Sequence, residues 1–202
     1  MASFDKEYFV GGTESNYKDY PSRKHNNLAK DIIKTLKIKP QDFVLDYGCG
    51  TGSLVNELRK KIYSVKGTDI SKWAIDYGKR FFELKNNLIH YDKKLLNKEQ
   101  HHILMLDVLE HCQDKELDSI FNQLKRNTLN PNILVRIPVA AIEHEDFVLD
   151  ISKKDKTHIQ THSKCWWHSL FLKKGFDVIK IVREKTIYDS DGVLVWVIKK
   201  VI

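Results

Sequence analysis

Cysteine is scarce in this chain of 202 residues: Cys49, Cys112 and Cys165 lie far apart, and none belongs to a CxxC pair. A set so dispersed and odd in number excludes a disulfide framework and points to a reducing, cytoplasmic compartment. Only four prolines occur and 30% of the residues are charged, a balance that excludes fibrous and disordered classes. No apolar run approaches the roughly 20 residues needed to span a bilayer. The opening "MASFDKEYFVGG" has no basic stretch followed by an apolar one, so no signal peptide is expected. Internal repeats and low-complexity segments are also lacking.

What is present is enough for one core. At 42% hydrophobic, the chain suits a single α/β domain over residues 1–202 rather than two. The net charge of +7 comes mostly from lysines scattered along the whole length. Diffuse lysine ordinarily makes a solvated surface; an anionic substrate or a nucleic acid is the alternative.

Helical and strand patterns alternate. In "RKHNNLAKDIIKTLKI" Leu28, Ile32, Ile33 and Leu36 fall on one helical face, and Pro40 ends the pattern. "DFVLDYG" reads as a buried strand, "SLVNELRKK" as a helix and "YSVKGTD" as a second strand. Ser71 caps a helix in "SKWAIDYGKRFFEL". "NLIHYD" is a weak third strand and "HILMLDVL" a clear fourth, followed by the helix "DKELDSIFNQLKRNT" and the fifth strand "NILVRIPV". The pattern fades into a long polar loop over 140–162, a length that is usually functional. "SKCWWHSLFLKK" then predicts a strongly amphipathic helix stopped by Gly175, in which one of Trp166 and Trp167 enters the core. "FDVIKIVRE" and "VLVWVIKKVI" are strands joined through the turn signal "DSDG". Together these predict an open, mostly parallel sheet with helices on both faces.

The first strand runs into "VLDYGCGTG": Asp46, then Gly48, Gly50 and Gly52, then a helix. Ligands of such sheets lie beyond the carboxyl ends of the strands, and bare backbone lets them lie directly on it. A carboxylate at Asp46 opposes a pyrophosphate and suits a ligand with an amino group. Asp69 ends the second strand, roughly 20 residues on, where an acid takes ribose hydroxyls. An amino acid joined to an adenosine satisfies both acids, as in S-adenosylmethionine.

The stretch closely resembles motif I of the class I S-adenosylmethionine-dependent methyltransferases, an acid, one residue, then GxGxG. "DVLEHC" from Asp107 to Cys112 resembles the post-strand-four motif of small-molecule members of the ubiquinone-biosynthesis type. The segment from Asp155 through Thr157 and His158 resembles their DxTH pattern. The resemblance implies a Rossmann-like, seven-stranded, mostly parallel sheet with a C-terminal antiparallel strand. It also implies a cofactor site of Asp46, Gly48, Cys49, Gly50, Gly52, Asp69 and Ile70. To these it adds Asp107 and Val108 along the methionine part, and Tyr91 and Asp92 flanking the adenine. Within the loop, Cys49 reads as a small packing residue rather than a nucleophile. An N-terminal cap over 1–25, offering Tyr17, Tyr20 and Arg23, is implied to fold over the cofactor; a plain extension is the alternative.

The resemblance carries the acceptor less far. A (D/N/S)PP(Y/F) motif for exocyclic base amines is missing after strand four, and no cysteine follows a proline as in cytosine-5 enzymes. A small-molecule acceptor with an O or N nucleophile is expected, its phosphate or carboxylate favoured by the basic balance. An RNA or protein methyltransferase, or a non-catalytic cofactor-binding protein, are the alternatives. His111 and His158 are the candidates to deprotonate or orient the acceptor. His158 and His162 have metal-like spacing, but no carboxylate or cysteine partner is evident, so no metal is expected.

Overall fold

The computed structural model describes residues 4–12, 15, 17–188 and 190–201. Its strands are β1 (Phe43–Tyr47), β2 (Ser64–Asp69), β3 (Leu88–His90), β4 (His102–Leu106), β5 (Asn132–Pro138), β6 (Phe176–Ile181) and β7 (Val193–Lys200). They form one sheet in the order β3-β2-β1-β4-β5-β7-β6. β3, β2, β1, β4 and β5 pair in parallel, whereas β7 runs antiparallel to both β5 and β6. The chain builds outward from β1 to β3 and then returns to place β4 beside β1. That reversal opens a crevice at the carboxyl ends of β1 and β4.

Period-two side-chain alternation divides the core into two layers. Val44, Leu104, Leu134, Val195 and Val197 face one side. They pack there with Ile32 and Leu36 of α2 (Asn26–Leu36), Val55 and Leu58 of α3 (Ser53–Leu58) and Ile75 of α4 (Lys72–Phe81). Leu45, Ile103, Met105, Ile133 and Val135 face the other. Their partners are Leu117, Phe121 and Leu124 of α5 (Asp114–Lys125) and Trp167 and Phe171 of α7 (Lys164–Lys173). Central strands covered on both faces have to be apolar throughout, which is why "FVLDY" and "HILML" read as continuous runs.

Two expectations need correction, and a third, the loop at 140–162, is given its structure. α7 is less amphipathic than its sequence suggests: Trp167 and Phe171 are buried, Trp166 and Leu170 are half-buried, and Leu172 is exposed. The "DSDG" turn signal begins at Asp189, outside the described residues, and the strands that it was expected to join tightly end at Ile181 and start at Val193, with Val182 and Ile187 between them buried in the core. The loop at 140–162 is built rather than loose. It contains α6 (Asp150–Lys153), buries Phe147, and bridges Ala140 to Phe147 and Ser163. The N-terminal segment adds a short helix, α1 (Lys6–Val10), whose Tyr8 and Phe9 pack in a third cluster with Phe4, Tyr17, Tyr20 and Trp73. Among the described residues, no helix is long and apolar enough to cross a membrane.

Candidate active site

The loop after β1 is tied to its neighbour before it reaches α3. Gly48 N and Cys49 N donate to Thr68 O of β2 at 2.8 and 3.1 Å. Gly50 N donates to one oxygen of Asp69 at 2.7 Å, and Ser71 N donates to the other at 2.7 Å. Asp69 thus joins the glycine loop to the start of α4, leaving its remaining lone pairs towards the crevice. Gly48 has φ 80°, and a Cβ there would lie 2.3 Å from Val108 Cγ2. Gly50 has φ 54°, and a Cβ there would meet the Tyr20 ring at 2.8 Å. Left-handed backbone and close approach both demand glycine at these two positions. Gly52 serves another purpose: its missing side chain makes room for Leu84 and Leu88.

A cavity of about 320 Å³ opens over this loop. Its wall includes Asp46, Gly48, Cys49, Gly50, Asp69, Ile70, Tyr91, Asp107, Val108 and His111, with Tyr17, Tyr20 and Arg23 from the N-terminal segment. Three of the residues expected there lie outside it. Gly52 is turned into the core. Asp92 donates its N–H to Thr68 Oγ1 and accepts from Lys94 N. His158 lies behind His111, with ring centroids 4.7 Å apart.

Asp46 is 3% exposed at the end of β1, and among the described residues no hydrogen bond reaches its carboxyl group. Burial, reinforced by the nearby Asp69 and opposed by Arg136, pushes its pKa up to about 7. Asp69 is also raised by burial, against the two backbone N–H groups that it accepts. A buried acid pair above a glycine loop is costly unless a cation or a donor completes it. Cys49 is buried and its thiol is held well above its usual range by burial, which agrees with packing and not with a thiolate nucleophile.

Several site residues escaped the sequence reading. Arg136 holds Asp107 in a two-pronged ion pair: Nε donates to Oδ1 at 2.9 Å and Nη2 to Oδ2. Its signal was visible, an arginine inside the otherwise apolar strand "NILVRIPV". Asp107 itself has φ 56°, local strain of a kind that gathers at functional sites. Phe4, Tyr8, Phe9 and His25 also line the cavity, and Arg23 lies 4.6 Å from the Tyr17 ring centroid. No strand or helix pattern would have placed these rings there.

His111 is engaged at Nδ1 by Thr157, at 2.8 Å from Oγ1 and 3.2 Å from O. Burial and the adjacent His158 pull its pKa down to about 4, so the ring is neutral near pH 7. His158 Nδ1 donates to Ser152 O at 2.9 Å, and its ring packs on Phe147. His162 turns elsewhere: Nδ1 meets Glu143 at 2.5 Å, and the ring stacks on Trp166 at 3.5 Å. The two histidines with metal-like spacing therefore have different partners. Glu110, between Asp107 and His111, is fully buried, and among the described residues neither of its carboxyl oxygens is hydrogen-bonded to another residue.

Donor types and shape together fit S-adenosylmethionine: an unpaired buried carboxylate for an ammonium, Asp69 for vicinal hydroxyls, and a glycine floor. Residues 20–181 match the family model described as "Methyltransferase domain". The ubiquinone biosynthesis O-methyltransferase of Pelagibacter ubique is 28% identical over 172 residues, covering 66% of this chain and 71% of its own. A ribosomal RNA small subunit methyltransferase A from Caldanaerobacter subterraneus is 30% identical over 88 residues. That match spans 44% of this chain and only 30% of the relative. Among solved structures, an S-adenosylmethionine-dependent methyltransferase from Archaeoglobus fulgidus aligns with a TM-score of 0.64 at 17% identity. The alignment covers 87% of this chain and 94% of that one. The magnesium protoporphyrin IX methyltransferase of Synechocystis, solved with bound S-adenosylhomocysteine, gives 0.60 at 17% identity over 87% and 83%.

Proposed function

Because this chain belongs to the methyltransferase-domain family and uses S-adenosylmethionine, we propose that it methylates an oxygen or nitrogen of a small-molecule acceptor. The observation that carries this reading is the aromatic layer over the cavity. Phe4, Tyr8, Phe9, Tyr17 and Tyr20 line it from the N-terminal side, so an acceptor there meets an aromatic wall the size of a small molecule. Such a wall suits in-line methyl transfer, because it helps to keep water from the reacting atoms.

The cofactor supplies the electrophilic methyl group when bound. Asp46 takes its ammonium, Asp69 its ribose hydroxyls, and Ile70 and Tyr91 flank its adenine. Arg23 places a positive charge near the glycine loop, where a carboxylate of the ligand is held. The described part of the segment 1–25 serves as the cap, and 140–162 supports the acceptor side through the contact of Thr157 with His111. Arg136 fixes Asp107, and Lys93 and Lys115 on the wall favour an acceptor with an anionic group. His111 borders this end and orients the acceptor. A neutral ring with so low a pKa accepts a proton weakly, so orientation is the more fitting of its two expected roles. The three free thiols of Cys49, Cys112 and Cys165 suit a reducing cytoplasmic compartment.

RNA is the second reading, supported by the net charge of +7 and the partial likeness to a ribosomal RNA enzyme. Screening with methyl-labelled S-adenosylmethionine against phenols, carboxylated aromatics, amines and total RNA separates the two. Label entering small molecules supports the proposal. Label entering only RNA, at a rate that falls steeply with salt, overturns it.

A further inference from the structure

Glu110, His111 and His158 each point a potential ligand atom at a common space, all three within 4.8 Å of one another. We propose that they form a binding site for a divalent first-row transition metal ion, a site separate from the cofactor contacts that shares His111 with the acceptor end of the cavity. Three features of the local chemistry converge on it.

The first is the carboxyl group. Glu110 is 0% exposed, and among the described residues neither of its carboxyl oxygens has a hydrogen-bond partner in another residue. A buried carboxyl group normally finds a donor, and here, among the described residues, no side chain offers one and the backbone N–H that bears on it is Glu110's own. Ile159 N and Gln160 N, the nearest backbone donors on the packed loop, are used on the Glu110 carbonyl at 2.9 and 3.0 Å. They fix the backbone of Glu110 while leaving its carboxylate open.

The second is the state of the two imidazoles. His158 gives its Nδ1 to Ser152 O, and His111 engages Thr157 through its own Nδ1. Nε2 of each ring is then the lone-pair nitrogen. Backbone oxygens that set the tautomer of a ligating histidine are the usual outer partners of metal sites. Thr157 is itself braced, its N–H and Oγ1 both reaching Asp155 Oδ1 at 3.0 and 2.5 Å.

The third is the surroundings. Asp155 Oδ2 lies 3.9 Å from His158 Nε2 and accepts from Tyr8 OH at 3.1 Å, adding negative charge at the edge of the site. Phe4 packs edge-on against His111, with centroids 5.5 Å apart, and Phe147 against His158 at 5.2 Å. An apolar shell of this kind limits solvent access to a site. Two imidazoles and one carboxylate suit zinc, manganese or iron(II) better than calcium or magnesium, which prefer oxygen ligands. Drawing the ligand atoms to about 2.0–2.2 Å from one ion needs movements on the order of 1 Å, within side-chain reach. His111 also lines the large cavity, so the ion lies in its wall, with positions left for further ligands.

The full chain, stripped with chelator and dialysed against Mn²⁺ or Zn²⁺, is expected to retain one ion per chain by elemental analysis. Pulsed EPR of the Mn²⁺ form should show nitrogen couplings from imidazole. Glu110→Gln and His158→Gln should each weaken the ion by roughly 100-fold or more, while S-adenosylhomocysteine affinity by calorimetry stays within about twofold of the parent. Wild-type chain that retains no ion, or variants that bind it as the parent does, would overturn the site. Metal retained without any S-adenosylhomocysteine binding would leave the site standing and sink the methyl-transfer reading instead.

Discussion

Asp46 is where a residue's surroundings decide its charge and, through it, the ligand. With its carboxyl group at about 7 against an ordinary value near 3.9, the ligand-free folded state holds a proton that the unfolded chain has lost. The stability contributed by Asp46 is therefore full below about pH 4 and is lost as pH rises through about 7. Cofactor binding has the opposite sign, because the ammonium favours the ionised form. Affinity for S-adenosylhomocysteine should rise roughly five- to tenfold from pH 6 to 7.5, below the range in which an α-amino group loses its own proton. Calorimetry at the two pH values checks it. Asp46→Asn should bind more weakly at pH 7.5 and lose most of that rise, and a rise unchanged in the variant would place the ligand's ammonium elsewhere.

Elements were more legible than the contacts between them. Continuous apolar runs in "FVLDY", "HILML" and "NILVRIP" announced strands because both faces of the sheet are covered, and an acid, Asp46, at the end of the first run pointed to the candidate site. The third strand was weak in sequence because only Leu88 of its three residues is buried. The α1 helix and the breadth of α7 were not legible, since both depend on what packs against them. Nor could spacing show that His158 meets Glu110 and His111 instead of His162, because that meeting depends on how the 140–162 loop folds back on the turn after β4. The close fit of the β1 and β4 loops at Gly48 is another contact of this kind, and it can be tested. Gly48→Ala adds a Cβ that would lie 2.3 Å from Val108 Cγ2, on backbone at φ 80°. It should cost about 2–4 kcal/mol in chemical denaturation. Adding Val108→Ala should return part of that loss by removing the clash, but not the share due to the left-handed backbone. A double variant no more stable than Gly48→Ala would show that the clash contributes nothing.

On the scale of the whole molecule, the two large core layers and the N-terminal aromatic cluster are separate bodies of apolar contact. The layers lie against opposite faces of the sheet, whereas Tyr8 and Phe9 pack with Phe4, Tyr17, Tyr20 and Trp73 over the crevice. Among the described residues its tethers to the body of the domain are specific. Phe9 stacks on Trp73 with centroids 5.7 Å apart, Phe4 packs on His111, Tyr20 rests against Gly50, Tyr8 OH donates to Asp155, and Ser53 Oγ donates to Arg23 O. Regions held by few contacts open at a lower free energy than the core and can do so without global unfolding. Phe9→Ala removes the ring at the centre of this cluster, where it touches Tyr8, Tyr20 and Trp73. Truncating a buried Phe costs about 3–5 kcal/mol when the whole fold depends on it. Here the loss should fall chiefly on the cap. Hydrogen exchange across residues 4–25 is expected to quicken at least tenfold, while amides of β1, β4 and β5 keep their protection and the global unfolding free energy falls by less than about 1 kcal/mol. S-adenosylhomocysteine should bind more weakly, because Tyr17, Tyr20 and Arg23 would no longer be held over the glycine loop. If the central strands lose protection together with the cap, the N-terminal segment is part of the folding core and not a cover placed over a finished site.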